Sequence, residues 1–534
     1  MTHKLIVIGL DGATWHLIDP LIAQGRLPNL SRLRKEGASG VLQSCILPWT
    51  FPAWRVYASG RNPGKLGVFW FSSVDWASRR FVLNDANSYR GPDLWDYLNT
   101  AGLRTGVIDM PATYPPRPLD GFMVSGYPAE DDKPYTYPPE LKAGLKTRFG
   151  YKTYAKSNPD DREAYLSEQQ DIIRSRFAAA RYLLDRVDFL HLTVFCIDQV
   201  QHRFWGDEGL FATWEVLDAE IGRFVTQPNF TYLFMSDHGF GPDPISDVFQ
   251  LNAWLVEQGC LRLRKNAADM LHRAGLNKHT LLQAARKLGI ANWLRRVVPE
   301  NLRRAIPLRQ EATGEAMMFD RAPLIDWEHS QALADGHGLI YFNPSLPGER
   351  KTALAGELRQ KLTALRSPIT GLPVAARVYE RDEIYHGPAL ANAPDVILLG
   401  RDDCLIKDGV GGSQVFQPPE LERWNAKHAP DGVFMAWGRH IQPGAGIRNA
   451  SLIDLAPTIL HTLGCAVPAD MDGRVLGEIF APESDPARRD VVDDLSRLSE
   501  PLVTPQHATP ETSTPEADDL NKSMEERLRN LGYL

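Results

Sequence analysis

The chain has 534 residues, of which 43% are hydrophobic and 23% are charged, a composition typical of soluble globular proteins. This length is sufficient for one large domain with insertions or for two to four smaller domains. A net charge of −7 argues against a nucleic-acid coat protein, and the five scattered cysteines indicate neither a disulfide framework nor a cysteine-type zinc site.

The apolar run before Asp11 is only five residues long, which is too short for the apolar region of a signal peptide. The sequence also lacks a stretch of roughly eighteen apolar residues, the length needed to span a bilayer. We therefore expect a cytoplasmic protein.

Short apolar runs alternate with helical patterns along the chain. The predicted buried strands are Leu5–Gly9, Thr105–Ile108, Phe189–Phe195, Tyr232–Met235, Val396–Leu399 and Val433–Ala436. The predicted helices include Arg162–Arg186, Leu354–Leu365 and Ser451–Leu463. This alternation predicts an α/β fold with a mostly parallel central sheet between layers of helices.

Two regions interrupt this pattern, so the sequence predicts a core in two parts, at residues 1–254 and 315–482. Residues 255–314 read as a basic helical insertion, because twelve Lys or Arg stand against two acids within residues 261–310. The interpretations for residues 262–309 are a solvated cap, a collector of anionic substrates, or a peripheral membrane contact. Residues 483–534 read as an acidic, Pro/Thr-rich linker followed by a segment that docks back on the core.

Candidate chemistry begins with polar residues that follow the predicted strands. Asp11 comes directly after the first strand, and Asp237 and His238 come directly after the fourth. Asp198 and His202 have the spacing that places a carboxylate and an imidazole on one face of a helical turn. In an open α/β sheet, ligands bind beyond the carboxyl ends of the strands, so we expect these side chains to meet.

Three further residues lie in predicted loops. Prolines stand two residues before and two residues after Thr50, and a helix that starts near Pro52 would direct its N-terminus at an anion held by the hydroxyl. His428 lies in a polar loop before the strand Val433–Ala436. His337 precedes the predicted strand Leu339–Phe342. It is either part of an ordinary loop or a residue that faces the site.

Each of these residues has an ordinary structural explanation by itself, as a turn carboxylate, a helix cap or a loop histidine. Their combined order is more specific. It resembles the alkaline phosphatase superfamily, most closely its type I phosphodiesterase/nucleotide pyrophosphatase branch, over roughly residues 4–254 and 320–480. The segments that carry the resemblance are Thr50-Phe-Pro-Ala53, Ser59–Gly67, Ile453–Leu460 and Met471–Leu476.

The resemblance implies a phosphohydrolase with two divalent metal ions, zinc in the first instance with manganese as the alternative. It places one metal on Asp198, His202 and His428. It places the other on Asp11, Asp237, His238 and the oxygen of Thr50. Thr50 would be the nucleophile and would form a covalent phosphothreonine, and the substrate would be a small phosphodiester or nucleotide-type molecule. Specific nucleic-acid binding is not expected.

The chain departs from the family pattern at two positions. Leu66 stands where the family has a histidine, and Phe71 stands where it has an asparagine that helps to bind the phosphoryl group. Lys65 and Asn62 are candidates for that role. Phosphomonoesterase, phosphonate hydrolase and phosphomutase activities on the same ligands remain alternatives, as does an inactive protein that keeps the fold and binds anions or membranes.

Overall fold

The computed structural model describes residues 4–89, 91–264, 321–411, 414–419 and 425–494. Twenty-two strands lie in these residues: β1 (Leu5–Leu10), β2 (Ala38–Gln43), β3 (Ser72–Asp75), β4 (Arg80–Leu83), β5 (Thr105–Ile108), β6 (Gly121–Val124), β7 (Thr136–Tyr137), β8 (Phe189–Val194), β9 (Thr231–Met235), β10 (Gly239–Pro242), β11 (Asp247–Gln250), β12 (Ala332–Ala334), β13 (Leu339–Phe342), β14 (Ala375–Glu380), β15 (Val396–Gly400), β16 (Cys404–Lys407), β17 (Phe416–Gln417), β18 (Ala426–Ala429), β19 (Asp431–Gly438), β20 (Ala450–Ser451), β21 (Val467–Pro468) and β22 (Asp493–Asp494).

Fourteen α-helices lie in the same described residues: α1 (Trp15–Ala23), α2 (Pro28–Glu36), α3 (Thr50–Ser59), α4 (Pro63–Leu66), α5 (Leu94–Thr100), α6 (Leu141–Phe149), α7 (Arg162–Leu183), α8 (Cys196–Phe204), α9 (Glu208–Phe224), α10 (Leu251–Glu257), α11 (Gly348–Ala364), α12 (Arg381–Ile384), α13 (Leu455–Thr462) and α14 (Asp485–Arg488). Among them, no helix is both long enough and apolar enough to cross a bilayer.

The central sheet has nine strands in the order β20-β2-β19-β9-β1-β8-β5-β6-β7. Five of its neighbouring pairs are parallel, and β19 and β7 are the strands that run against the others. The predicted mostly parallel sheet is therefore confirmed. The prediction of Val433–Ala436 as a parallel strand is wrong in direction, since β19 is antiparallel to both β2 and β9.

Apolar side chains cover both faces of this sheet. On β1, Leu5 and Val7 face a core that includes helices α3, α5 and α13, whereas Ile6 and Ile8 face a core that includes α1, α2, α7, α8 and α9. Successive side chains of a strand point to opposite faces, so an unbroken apolar run has to be covered by helices on both sides. Each fully buried aliphatic side chain of this kind contributes roughly 1.5–3 kcal/mol.

A smaller layer packs beside the central sheet. Strands β12, β13, β15 and β14 form an antiparallel sheet covered by α10 and α11, and β16, β11 and β17 form a second small sheet. The predicted strand Val396–Leu399 belongs to this antiparallel sheet, so its assignment to a parallel sheet is wrong. Helix α11 begins at Gly348, six residues before the predicted start at Leu354.

Parts of two predicted regions lie outside the described residues. These are residues 265–320 of the predicted basic insertion and its flank, and residues 495–534 of the predicted linker and docking segment. The division of the chain into core, insertion and tail stays a prediction.

Candidate active site

Three adjacent parallel strands, β9, β1 and β8, deliver the predicted carboxylates to one edge of the central sheet. Asp11 follows the last residue of β1, and Asp237 lies two residues after the end of β9. Asp198 stands in the first turn of α8, which begins shortly after β8, and His202 lies one helical turn further on. Because parallel strands end on the same side, the register of the sheet brings these residues together.

Thr50 reaches the same edge from β2, which runs parallel to β9 and lies two strands away from it in the sheet. It is the first residue of α3, with Trp49 at the N-cap, and it is 1% exposed. The N-terminal end of a helix carries unpaired N–H groups and a partial positive charge that favours a bound anion. The predicted helix start near Pro52 is thus placed two residues too late.

His428 lies on a strand and not in the predicted loop. It belongs to β18, which pairs antiparallel with β10 and places His428 opposite Phe240. The chain then enters β19, whose antiparallel direction starts it at the edge where β1 and β9 end. Strand pairing therefore carries His428 to the other candidate residues, although more than 180 residues of sequence separate it from them.

The seven candidates form one buried cluster. Thr50 Oγ1 lies 3.2 Å from His238 Nε2, which lies 3.2 Å from Asp237 Oδ2 and 3.6 Å from Asp11 Oδ1. His428 Nε2 lies 3.1 Å from both His202 Nε2 and Asp198 Oδ1. The rings of His238 and His428 stack with their centroids 3.6 Å apart, which joins the two halves of the cluster.

Backbone carbonyl groups set the orientation of all three imidazoles. The Nδ1 atoms of His202, His238 and His428 each donate a hydrogen bond of 3.0 Å, to the carbonyl oxygens of Ala426, Gly239 and Pro48 respectively. A carbonyl oxygen only accepts, so each Nδ1 carries the proton and each Nε2 presents a lone pair to the cluster. This arrangement is typical of histidines that bind metal ions.

Burial strongly perturbs the titration of the cluster. It raises the pKa of Asp11 well above its ordinary value, with the nearby carboxylates of Asp237 and Asp198 acting in the same direction, and it likewise raises the pKa of Asp237. Burial lowers the pKa of His202 and of His428 to about 3. Crowded carboxylates beside neutral imidazoles form a site that attracts a cation.

The donor set fits divalent metal ions. Asp11 Oδ1 and Asp237 Oδ2 are buried and receive no hydrogen bond from the described residues, so each leaves a lone pair available to a cation. The potential ligand atoms form two groups, and within each group all the atoms lie within 4.8 Å of one another. One group is Asp198, His202 and His428, and the other is Asp11, Asp198 and His238. The first group is the set that the resemblance implied for one metal. The second shares Asp11 and His238 with the set implied for the other metal and contains Asp198 instead of Asp237.

Trp54 and Gln201 support the site and were not singled out from the sequence. Trp54 Nε1 donates to Asp11 Oδ2 at 2.9 Å, and Gln201 Nε2 donates to the carbonyl oxygen of Gly12 at 3.0 Å. Trp54 lies four residues after Thr50 on α3, a spacing that puts both side chains on one face of the helix. That spacing was the available sequence signal for Trp54.

Aromatic side chains form a wall around Trp49 and Phe51, the two residues that flank Thr50. Phe71 contacts Phe51 and Trp70 with ring centroids 5.9 and 5.0 Å apart, and Trp70 contacts Trp49 at 4.9 Å. The ring of His337 lies 5.4 Å from both Trp49 and Trp70. His337 is therefore brought next to the site.

Lys65 and Asn62 are engaged elsewhere. Lys65 Nζ bonds to the carbonyl oxygen of Asp470 at 2.8 Å and to Asp472 Oδ1 at 2.5 Å. The side-chain amide of Asn62 donates to the carbonyl oxygen of Ile384 at 2.9 Å and accepts from Gly64 N. These contacts tie α4 to neighbouring loops, so neither side chain supports the role of phosphoryl ligand suggested from sequence.

Comparison with protein families identifies one match. The model of the type I phosphodiesterase / nucleotide pyrophosphatase family matches residues 5–424, which is most of the chain and includes six of the seven candidate residues. His428 follows the end of that match. No curated protein sequence matches the chain significantly.

Solved structures with the same fold include phosphonoacetate hydrolase from Sinorhizobium meliloti 1021 in complex with phosphonoformate. It has a TM-score of 0.55 and 16% sequence identity, over 85% of this chain and 94% of that chain. The complex of the same hydrolase with phosphonoacetate has a TM-score of 0.54 and 15% identity over the same shares. Murine ectonucleotide pyrophosphatase / phosphodiesterase 5 gives a TM-score of 0.48 and 13% identity over 87% of this chain and 96% of that chain.

Proposed function

Since the chain belongs to the type I phosphodiesterase / nucleotide pyrophosphatase family, within the alkaline phosphatase superfamily, we propose that it cleaves a phosphodiester or nucleotide-type substrate with two divalent metal ions and a threonine nucleophile. As a member of this family it is a phosphoester hydrolase, and dependence on divalent metals is typical of the family. The metal count, the nucleophile and the substrate are the proposed part.

One observation carries the assignment of Thr50 as the nucleophile. Its Oγ1 lies 3.2 Å from His238 Nε2, at the N-terminus of a helix and beside three buried carboxylates. A hydroxyl that only caps a helix has no need of such a cluster. Two divalent cations bound by these residues would supply the positive charge that acidifies the attacking hydroxyl and neutralises the departing oxygen.

The residues of the chain then have defined tasks in an in-line displacement. Thr50 Oγ1 forms a bond to phosphorus while the bond from phosphorus to the leaving oxygen breaks, which gives a phosphothreonine. Water next attacks the phosphothreonine, releases the phosphorylated product and restores the hydroxyl. The dipole of α3 stabilises the negative charge next to Thr50 throughout.

Zinc is the proposed metal, and manganese is the alternative. Four carboxylate or hydroxyl donors and three imidazole Nε2 atoms form a mixed set, which suits a borderline cation such as Zn²⁺. The fixed Nδ1 protons of His202, His238 and His428 support this proposal, since they leave Nε2 as the binding atom of each ring.

The test measures the metal content of the purified chain together with its turnover of p-nitrophenyl phosphate, bis-p-nitrophenyl phosphate and phosphonoacetate, with and without a chelator. We expect about two metals per chain and chelator-sensitive hydrolysis that is fastest on the diester. Faster turnover of the monoester or of the phosphonate would reassign the substrate class. A metal-free chain after metal loading would refute the proposed site.

A further inference from the structure

His337 occupies an unusual turn between β12 and β13. Gly336, His337 and Gly338 all have positive φ angles, of 92°, 55° and 129°. The left-handed region costs a residue with a side chain roughly 1–2 kcal/mol, although histidine enters it more often than most such residues. A turn that keeps a histidine between two such glycines holds this side chain in a defined position at a cost in stability.

Buried ionic groups fix the turn. Gly336 N donates to Asp408 Oδ2 at 2.6 Å, and Ser72 Oγ donates to Asp335 Oδ2 at 2.7 Å. The guanidinium of Arg321 bridges Asp335 and Asp408 and is 3% exposed. A network of this kind tolerates little displacement, because moving one partner leaves a buried charge unpaired. The turn is thus a rigid support for the His337 ring.

Close packing directs the turn toward the site. A Cβ atom added to Gly336 would lie 2.8 Å from Trp70 Cγ, so only glycine allows the backbone to approach that ring. The His337 ring contacts Trp70 and also Trp49, which directly precedes Thr50. The ring of Trp49 in turn lies 5.5 Å from the ring of His428. His337 is half-buried, and its ring and the ring of His428 both contact the ring of Trp49.

The wall around Trp49 and Phe51 needs a polar group if a phosphoryl group is to bind against it. Phe71 contacts both Phe51 and Trp70 there, and an aromatic ring face repels an anionic oxygen. Trp70 touches both Phe71 and His337, so a polar imidazole borders the aromatic part of the wall.

We propose that His337 is a substrate-binding residue, whose imidazole N–H donates a hydrogen bond to a non-bridging oxygen of the phosphoryl group. This inference rests on the function proposed above. A neutral imidazole is sufficient, because either tautomer has one N–H donor. The antiparallel sheet that carries β12 and β13 thereby completes a site whose metal ligands lie along the edge of the central sheet.

The test compares wild type with His337→Ala, in the metal-loaded full-length chain. The control is His329→Ala, which removes an exposed histidine of the preceding segment that is paired with Asp326 at 2.9 Å. Binding of inorganic phosphate is measured by calorimetry, alongside metal content, thermal midpoint and kcat/KM for bis-p-nitrophenyl phosphate. We expect His337→Ala to weaken phosphate binding and to lower kcat/KM by about tenfold or more at unchanged metal content, since charge-assisted hydrogen bonds are the strong ones. The control should match wild type.

The outcomes separate this inference from the proposed function. If wild type turns over the ester and His337→Ala binds phosphate with unchanged affinity, the inference is wrong and the function stands. If wild type neither binds phosphate nor hydrolyses any ester, both fail. If the alanine variant folds poorly, His337→Asn replaces it in the test, because asparagine tolerates a positive φ but has a shorter side chain. Weakened phosphate binding by this variant supports the inference, and unchanged binding contradicts it.

Discussion

Trp54 Nε1 donates a hydrogen bond to Asp11 Oδ2 at 2.9 Å, so the helix that begins with Thr50 also holds a carboxylate at the end of the neighbouring strand β1. Gly9 makes room for this contact, since a Cβ atom there would lie 2.5 Å from Trp54 Cη2. One oxygen of Asp11 is thereby fixed, and Oδ1 is left facing His238.

Replacing the indole N–H of Trp54 is expected to weaken metal binding. Trp54→Phe leaves Asp11 Oδ2 without its donor, and outer-shell changes of this kind typically cost about 10–100-fold in metal affinity. Competitive titration with a chromophoric chelator measures the affinity. Trp214→Phe is the matched control, because Trp214 is equally buried but its Nε1 has no hydrogen-bond partner among the described residues. Equal affinities for the two variants would show that Trp54 does not position Asp11.

Removing the hydroxyl of Thr50 is expected to abolish turnover and to leave metal binding nearly intact. Thr50→Ala should lower kcat by at least about a thousandfold, because a nucleophile cannot be replaced by positioning alone. Thr50→Ser is the control and should keep measurable turnover, since it retains the attacking oxygen. Metal analysis and steady-state kinetics on bis-p-nitrophenyl phosphate check both. Full activity in the alanine variant would exclude a covalent mechanism at this residue.

Asp198 and His202 are expected to differ in their effect on metal content. Asp198 belongs to both groups of clustered ligand atoms, whereas His202 belongs to one. His202→Ala should therefore release about one metal per chain, and Asp198→Asn should weaken both sites. Elemental analysis after dialysis measures the stoichiometry, with His386→Ala, an exposed histidine paired with Asp472 at 2.9 Å, as the control. Loss of the same single metal in both variants would contradict the shared role of Asp198.

Breaking the buried pair of Arg176 and Asp109 is expected to destabilise the fold, mainly at neutral pH. Arg176 Nε donates to Asp109 Oδ2 at 2.6 Å, and both side chains are buried. Removal of one partner from such a pair costs about 3–5 kcal/mol of unfolding free energy. Arg174→Met on the same helix is the control, because Arg174 and its partner Asp171 are exposed, and its effect should stay below about 1 kcal/mol.

The loss of unfolding free energy caused by Arg176→Met should become smaller as the pH falls. Burial raises the pKa of Asp109 to about 6 even with Arg176 beside it, which lies above the ordinary value of 3.8. Loss of the guanidinium raises this pKa further, so the variant holds a proton that the unfolded chain has released. In the variant the charge penalty is therefore full only above this higher pKa, and it diminishes as the pH falls toward 6. Below about pH 6 the wild-type carboxyl is protonated as well, so the difference between the two proteins stays constant. Urea unfolding at pH 7 and pH 5 measures it, and an equal loss at both values would contradict the assignment.

The sequence by itself indicated the residues of the candidate site and the class of the fold. Apolar runs bounded by polar residues gave the strands β1, β5, β8 and β9 almost to the residue, because a strand buried on both faces leaves a local signal of consecutive apolar side chains. The four-residue spacing of Asp198 and His202 likewise gave their common helix face. These predictions depend on neighbours within a few residues.

The tertiary structure alone decided how distant segments meet. The antiparallel direction of β19, the pairing of β18 with β10 and the bond from Trp54 to Asp11 depend on the register between strands and helices that are far apart in sequence. The proximity of His337 to Trp49 depends on the packing of a second sheet against the first. Hydrophobic patterning states which face of an element is buried, but not against which partner, so the direction of the pairing and the neighbours of each ring are fixed only when the whole chain packs.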